Sequence, residues 1–257
     1  IGLFGSYITP HDSTQIAIQY TLTPPFWQEG GSTQFLLGTD NLGRDIWSRL
    51  LVGSRVSLMV GVTTILVAGI VGSLLGAIAG FYRGFVEDVT MRVVDIWMAF
   101  PSLLLAIAFG AALGPGLFNL VIALSLSIWV VYCRVVRAEV LTIREREFVL
   151  AAEAMGASDA RIIFRHVLPN VLAPILVIST LQMGTVIISE ASLNFLGIGV
   201  QAAMPTWGGM LSDGRQFMRQ AWWLSTFPGI AISVVVLSIN LVGDGLRDAL
   251  DPRLRGR

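Results

Sequence analysis

Four stretches without a charged residue dominate the hydrophobic pattern of this chain. They cover residues 56–82, 96–133, 167–189 and 220–243, and they contain 27, 38, 23 and 24 residues. Because a helix needs about 20 residues to cross roughly 30 Å of hydrocarbon, three of these stretches predict one membrane span each. The longest stretch has room for two spans, and the glycine-rich run at 110–116 predicts a tight turn between them. Five complete spans are therefore predicted.

The composition favours a membrane protein over other classes. Of the 257 residues, 54% are hydrophobic and only 13% are charged, about half the charged fraction of a typical soluble domain. Lys+Arg and Asp+Glu are equal at 17 each, which disfavours a nucleic-acid binder. The chain has no lysine, so it cannot form the phosphate-binding loop of an ATPase, and a partner must hydrolyse any ATP that drives its work. One cysteine and two distant histidines give neither a disulfide nor a metal site.

The arginines predict the orientation in the membrane. Twelve of the 17 lie in the regions 83–94, 134–166 and 244–257, and five lie in the segments on the other side. The positive-inside rule places the larger group in the cytoplasm. The apolar residues 1–8 are typical of the end of a further span, and an N-terminus before that span would be cytoplasmic, like the C-terminus.

These patterns divide the chain into regions. The end of a first span, an outer segment, the membrane domain and a cytoplasmic tail are expected at 1–8, 9–55, 56–246 and 247–257. Within the membrane domain, residues 134–168 are expected to form a cytoplasmic loop and residues 191–219 an outer loop. Arginines in the tail predict contact with anionic membrane lipid.

Glycines at fixed spacing indicate close helix packing in the first complete span. Gly72, Gly76 and Gly80 repeat every four residues, and small residues at that spacing let two membrane helices approach closely. This pattern fits ordinary packing within the subunit, or a surface on which a transporter slides.

The predicted cytoplasmic loop has the most informative pattern, between residues 144 and 169. Residues 147–155 are a run of good helix formers, and Gly156 can end that helix in a left-handed conformation. Ser158 can cap a second short helix, and Pro169 bends the chain into the next span. A short helix, a turn and another short helix are therefore predicted at the membrane face.

One side of the first short helix is predicted to be apolar. Val149, Ala152 and Met155 share it by their spacing, and such a helix can dock into a groove on a soluble partner. A plain connection between spans is the alternative.

The same loop resembles a known family. Ala151-Ala152-x-x-x-Gly156, followed by Val167-Leu168-Pro169-Asn170, is similar to the "EAA" loop of permease subunits of bacterial ABC importers. The chain departs from the pattern at Leu150, where the family usually has Glu, and at His166, often aliphatic. In that family the loop is a coupling helix that sits in a cleft of the ATP-binding subunit. The resemblance implies these ATPase-coupling residues: Glu147, Val149, Ala151, Ala152, Glu153, Met155, Gly156, Arg161, Leu168 and Pro169.

Other stretches narrow the resemblance. Residues 37–58, 205–211 and 243–252 look like segments of the dipeptide/oligopeptide/nickel permeases, and residues 24–31 look most like the dipeptide-permease "C" subunit. The resemblance implies an all-α polytopic bundle of the type I ABC importer kind, with six spans in the full chain.

The resemblance also implies an assembly in the bacterial cytoplasmic membrane. The expected partners are a homologous second permease, two ATP-binding subunits and an extracytoplasmic solute-binding protein. This chain is then no enzyme and holds no cofactor, because ATP and Mg²⁺ belong to the partners. The expected cargo is a di- or oligopeptide, with nickel, glutathione or antimicrobial peptides as alternatives.

A few charged and aromatic residues outside the loop are further candidates. Asp95 and Glu190 lie at the ends of apolar stretches. Each could form an ion pair with Arg92 or Arg55, or could act as a gate residue of the transport pathway. In the gate role, Glu190 would contact the ammonium group of a peptide. In the outer regions, the candidates for docking of the binding protein are Arg44, Asp45 and Trp207, although a local ion pair also explains the two charged ones.

Two other classes remain as alternatives. An ion-coupled secondary transporter would use Asp95 and Glu190 as proton or ion sites and would work without an ATPase. An intramembrane enzyme is disfavoured because the sequence has neither H-E-x-x-H nor G-x-S-x-G.

Overall fold

The computed structural model describes residues 9–200 and 204–250, and within these ranges it is helical with irregular connections. The predictions for the apolar residues 1–8 and for tail residues 251–257 lie outside the described residues. The helices are α1 Ile46–Tyr82, α2 Gly84–Met98, α3 Ser102–Leu113, α4 Leu117–Ile143, α5 Glu147–Ala154, α6 Asp159–Ile162, α7 Leu172–Phe195, α8 Trp207–Gly214 and α9 Trp223–Leu250. Between α6 and α7 the chain continues through a π turn, Ile163–Val167, and a 3-10 turn, Leu168–Val171.

Four helical stretches are long and apolar enough to cross a membrane: Ile46–Tyr82, Leu117–Ile143, Asp159–Phe195 and Trp223–Ala249. A fifth span results if α2 and α3, which meet at a bend of 88°, count as one broken span. The predicted number of five therefore holds with that pair included.

The bent pair α2–α3 differs from the prediction in shape. The turn predicted near residues 110–116 is present, between Leu113 and Leu117. However, α3 has only 12 residues, a length of roughly 18 Å. The region 83–94, which the arginine pattern places between two spans, is mostly helix α2. Pro101 separates α2 from α3, because proline lacks an N–H and disfavours helical geometry in the residue before it.

Helix α1 is longer than the charge-free stretch that predicted it. It begins at Ile46, ten residues before the predicted start at Val56, and has 37 residues. Asp45 caps its first turn, with the backbone N–H of Ser48 donating to the carboxylate at 3.0 Å and the Ser48 hydroxyl donating at 2.6 Å. The charged residues Arg49 and Arg55 lie within this helix, and for that reason the sequence pattern excluded its first turns.

The repeated glycines of α1 lie against α4. A Cβ atom on Gly72 would sit 2.3 Å from the carbonyl oxygen of Trp129, and one on Gly76 would sit 2.4 Å from that of Cys133. Gly80 is nearly as close to α4, 2.9 Å from the carbonyl oxygen of Arg137. The predicted close packing within the subunit is therefore confirmed.

At the end of the bundle where α1 and α9 begin, residues 9–45 form an irregular segment that covers the ends of α1, α8 and α9. The core there contains Ile46, Trp207 and Trp223. The Trp223 indole N–H donates to the carbonyl oxygen of Thr39 at 3.0 Å and so ties the segment to α9.

Candidate functional site

The loop between α4 and α7 folds as a helical elbow. Helix α5 ends at Ala154, and Gly156 follows with φ of +79°, so the predicted left-handed glycine is confirmed. The N–H of Ala157 donates to the carbonyl oxygen of Ala152 at 3.1 Å and closes the end of α5. We call residues 144–169 the elbow.

The inner side of the elbow belongs to the core. Val149 and Ala152 are buried against Ile162, Ile163 and Val167, in one cluster that also contains side chains of α1 and α4. The expectation that Val149 and Ala152 share a docking face with Met155 is therefore wrong. The second half of the elbow folds back and covers them, which a spacing rule along one helix does not include.

The exposed side of the elbow carries apolar side chains among charged ones. The Met155 side chain is 82% exposed and that of Leu150 is 51% exposed. The other residues predicted to couple to the ATPase are exposed, apart from the half-buried Leu168: Glu147, Ala151, Glu153, Gly156, Arg161 and Pro169.

Two arginines, which the sequence analysis did not select, fasten the elbow to α1. Arg144 donates to the carbonyl oxygen of Phe81, and its guanidinium lies over the Phe81 ring, 5.1 Å from the centroid. Arg83 donates to the Glu145 carboxylate at 2.8 Å. The elbow is therefore attached to the end of a long helix rather than suspended between two spans.

Glu190 on α7 is fully buried and faces α1. Its carboxyl group accepts hydrogen bonds from the Ser57 hydroxyl at 3.0 Å and from the Asn194 side-chain amide at 2.6 Å. The Asn194 side-chain oxygen in turn accepts the N–H of Val200 at 2.7 Å. Glu190 thus links two helices and the chain that follows α7, and Ser57 takes the place that the sequence analysis gave to Arg55.

We predict different effects for two substitutions of Glu190. Glu190→Gln keeps a side chain that can bond Ser57 and Asn194, so thermal stability and the transport activity expected from the sequence should stay close to the original. Glu190→Ala leaves the buried Ser57 hydroxyl without its acceptor and removes one of the two acceptors of the Asn194 side-chain amide, so it should lower the free energy of unfolding by about 1–3 kcal/mol. Thermal unfolding in detergent and an uptake assay measure these effects. Loss of uptake in a stable Glu190→Gln protein would instead support the gate role.

Asp95 lies on the outside of the bundle, on α2. It forms an ion pair with Arg134 of α4, and more than half of the Asp95 side chain is exposed. The suggested partner Arg92 is therefore replaced by Arg134. One helical turn further along α4, Arg137 donates through Nε to Glu87 at 2.8 Å, so two ion pairs hold α2 against α4.

Two of the three candidate docking residues in the outer regions are buried. Asp45 caps α1, and the Trp207 indole donates to the carbonyl oxygen of Leu50 at 3.1 Å. Neither side chain presents a surface to a partner. Arg44 is mostly buried as well, and it pairs with Asp40 through Nε at 2.6 Å rather than with Asp45.

A cavity of about 520 Å³ lies between this outer segment and α8. Arg44, Arg49 and Asp213 line it, and Asp40 lies beside both arginines. Arg49 and Asp213 were not predicted as functional residues, because 164 positions separate them along the chain. Among the residues that the structure describes, no cluster of three or more His, Cys, Asp or Glu side chains is arranged to hold a metal ion.

Comparison with known proteins places this architecture. Residues 72–256 match the family described as "Binding-protein-dependent transport system inner membrane component". The chain belongs to this family of permeases. The permease is 47% identical to the "Di/tripeptide transport system permease protein DppC" of Pseudomonas aeruginosa, over 98% of this chain and 84% of that one. It is also 47% identical to the "Dipeptide transport system permease protein DppC" of Escherichia coli K12, over 99% and 85%.

The fold of the permease is that of the type I ABC importers. The MetNI methionine ABC transporter, in an inward-facing structure, matches with a TM-score of 0.64 at 18% identity, over 79% of this chain and 96% of that one. An amino acid ABC transporter crystallised with histidines matches with a TM-score of 0.59 at 14% identity, over 79% and 94%. The family and fold class expected from the sequence are thereby confirmed.

Proposed function

We propose that this permease imports di- and oligopeptides across the bacterial cytoplasmic membrane, as one subunit of an ATP-driven transporter. The observation that carries the proposal is its similarity, over nearly its whole length, to subunits named for dipeptide and tripeptide transport. Nickel, glutathione and antimicrobial peptides are the alternative cargoes within the family. Competition between unlabelled candidates and a labelled dipeptide in an uptake assay separates them.

In this proposal the chain performs no chemistry, and ATP with Mg²⁺ binds to two partner subunits. The elbow sits in a cleft of one ATP-binding subunit and moves with it. Its buried side chains support this role, because Val149 and Ala152 pack in one cluster with Phe81 of α1 and Val140 of α4. A force applied to the elbow therefore reaches two long helices through a close-packed core rather than through a flexible connection.

The proposed orientation puts the elbow and the C-terminus in the cytoplasm. It rests on the arginine distribution, with twelve of 17 on the side of the elbow. Residues 9–45 then lie outside the cytoplasm, where a solute-binding protein delivers the cargo. A homologous second permease completes the pathway, and the tail arginines contact anionic lipid.

Reconstitution tests the ATP-driven mechanism. Proteoliposomes that contain this permease, its second permease, the ATP-binding subunits and the solute-binding protein should accumulate a labelled dipeptide in the presence of ATP. A non-hydrolysable ATP analogue should abolish that accumulation. An ion-coupled transporter predicts the reverse pattern, so accumulation by this chain alone under a proton gradient would refute the proposal.

A further inference from the structure

The cavity beside the 9–45 segment has the size and the polar lining of a small-molecule site. Its volume of about 520 Å³ lies within the range of ligand sites, roughly 300–1,000 Å³. Residues 41–49 form one wall and α8 with its capping residue Thr206 forms another. A site of this size can take a peptide of two or three residues.

Arg49 is a buried cation with unused hydrogen-bonding capacity. Its side chain is 6% exposed, and its nearest carboxylate oxygens are those of Asp40 at 3.6 Å and Asp213 at 3.5 Å. No hydrogen bond to its guanidinium is found among the residues of 9–200 and 204–250. Because a guanidinium has five N–H donors and binds carboxylates best through two short parallel bonds, Arg49 is poorly satisfied by these two neighbours.

Asp40 cannot move to satisfy Arg49. Its carboxylate accepts the Nε–H of Arg44 at 2.6 Å, and it also accepts the backbone N–H groups of Leu42 and Arg44 at 2.8 and 2.9 Å. These bonds fix Asp40 in the turn before α1. Its charge stabilises both arginines, although it accepts only the Nε–H of the Arg44 guanidinium and lies 3.6 Å from Nη1 of Arg49.

Asp213 is the second carboxylate beside Arg44 and Arg49, and it is held more loosely than Asp40. A single oxygen, Oδ2, lies 3.4 Å from Arg44 and 3.5 Å from Arg49, and 46% of its side chain is exposed. One carboxylate is therefore shared between two guanidinium groups at long distances, at the edge of the cavity. Such a group can be displaced by a carboxylate that enters the cavity and forms shorter bonds.

We propose that Arg44 and Arg49 bind the C-terminal carboxylate of a peptide in this cavity, where it takes the place of the Asp213 carboxylate. The proposal rests on the proposed function and adds a residue-level site to it. Asn41 also lines the cavity, and its side-chain oxygen has no hydrogen-bond partner within the described part of the chain.

The test measures peptide binding to the assembled transporter. The transporter is purified without the solute-binding protein, so that the peptide selectivity of the solute-binding protein does not affect the measured affinities. Saturation-transfer NMR with alanyl-phenylalanine and with its C-terminal amide gives the affinities of the two probes. The original protein should prefer the free carboxylate, and Arg49→Gln should weaken binding of the free acid by about tenfold or more. Asp213→Asn removes the internal competitor and should strengthen that binding by about threefold.

The controls separate the site from general effects on folding. Arg55→Gln changes an exposed arginine on the same helix and should leave both affinities unchanged, whereas Arg49→Lys should recover only part of the binding. If the Arg49→Gln transporter does not assemble, the Asp213→Asn variant alone tests the inference. If Asp213 only formed a structural ion pair, breaking that pair would not increase the affinity for the peptide. Equal binding of acid and amide, or unchanged affinity in Asp213→Asn, would overturn this inference. Neither result affects the proposed function, which fails only if the complete transporter takes up no peptide.

Discussion

Gly76→Ala will destabilise the permease although it adds a single methyl group. The new Cβ atom would sit 2.4 Å from the carbonyl oxygen of Cys133 and 3.1 Å from the N atom of Arg137, and both belong to the backbone of α4. Because backbone atoms cannot turn aside, the two helices must separate. Overpacking of this kind costs about 1–3 kcal/mol, and the double variant Gly72→Ala, Gly76→Ala should reduce the amount of assembled protein in the membrane severely.

Gly229→Ala on α9 is the matched control. The same methyl group there would meet no atom within 4 Å, and alanine favours a helix over glycine by up to about 1 kcal/mol. This variant should be as stable as the original or slightly more stable. Thermal unfolding in detergent and the amount of protein in isolated membranes measure both changes. Equal stability of Gly76→Ala and Gly229→Ala would show that the contact between α1 and α4 does not limit stability.

The sequence predicted the spans well where apolar composition alone determines the structure. A helix in lipid must present apolar side chains on nearly every face, so a charge-free stretch of sufficient length marks it. The same criterion missed the first ten residues of α1, because the exposed Arg55 and the buried Arg49 both interrupt the charge-free stretch, and Arg49 is tolerated inside the fold only beside Asp40 and Asp213. An ion pair between residues far apart in the chain cannot be predicted from the sequence around either residue.

The elbow shows the same division between local and long-range information. Helix formers and a left-handed glycine are local properties, and they predicted α5 and the turn at Gly156. Val149 is buried because Ile162 and Val167, which follow the turn at Gly156, pack in the same cluster. The π turn between α6 and α7 was also missed, although Pro169 supplies a reason for irregular winding, since it lacks the N–H of a normal helical turn.

In the proposed transporter, Met155→Asp will uncouple the permease from the ATP-binding subunit without unfolding the permease. The Met155 side chain is 82% exposed in this chain, so a carboxylate there remains hydrated and costs little in the isolated subunit. In the proposed assembly the elbow sits in the cleft of an ATP-binding subunit, where that carboxylate would lose its water without gaining a partner, and an unpaired buried charge costs about 3 kcal/mol or more. Peptide-stimulated ATP hydrolysis and uptake should therefore fall by more than about tenfold.

Two further substitutions make this result specific to the exposed side of the elbow. Met218→Asp introduces the same change at an exposed methionine that follows α8, distant from the elbow along the chain, and it should leave ATP hydrolysis unaffected. Val149→Asp puts the charge into the core and should lower the thermal stability of the subunit itself. Co-purification of the ATP-binding subunit distinguishes the two elbow variants, because Met155→Asp should yield a stable permease without its partner. A stable Met155→Asp permease that retains the partner and full activity would place the contact elsewhere on the elbow, and the role assigned to Met155 would then be withdrawn.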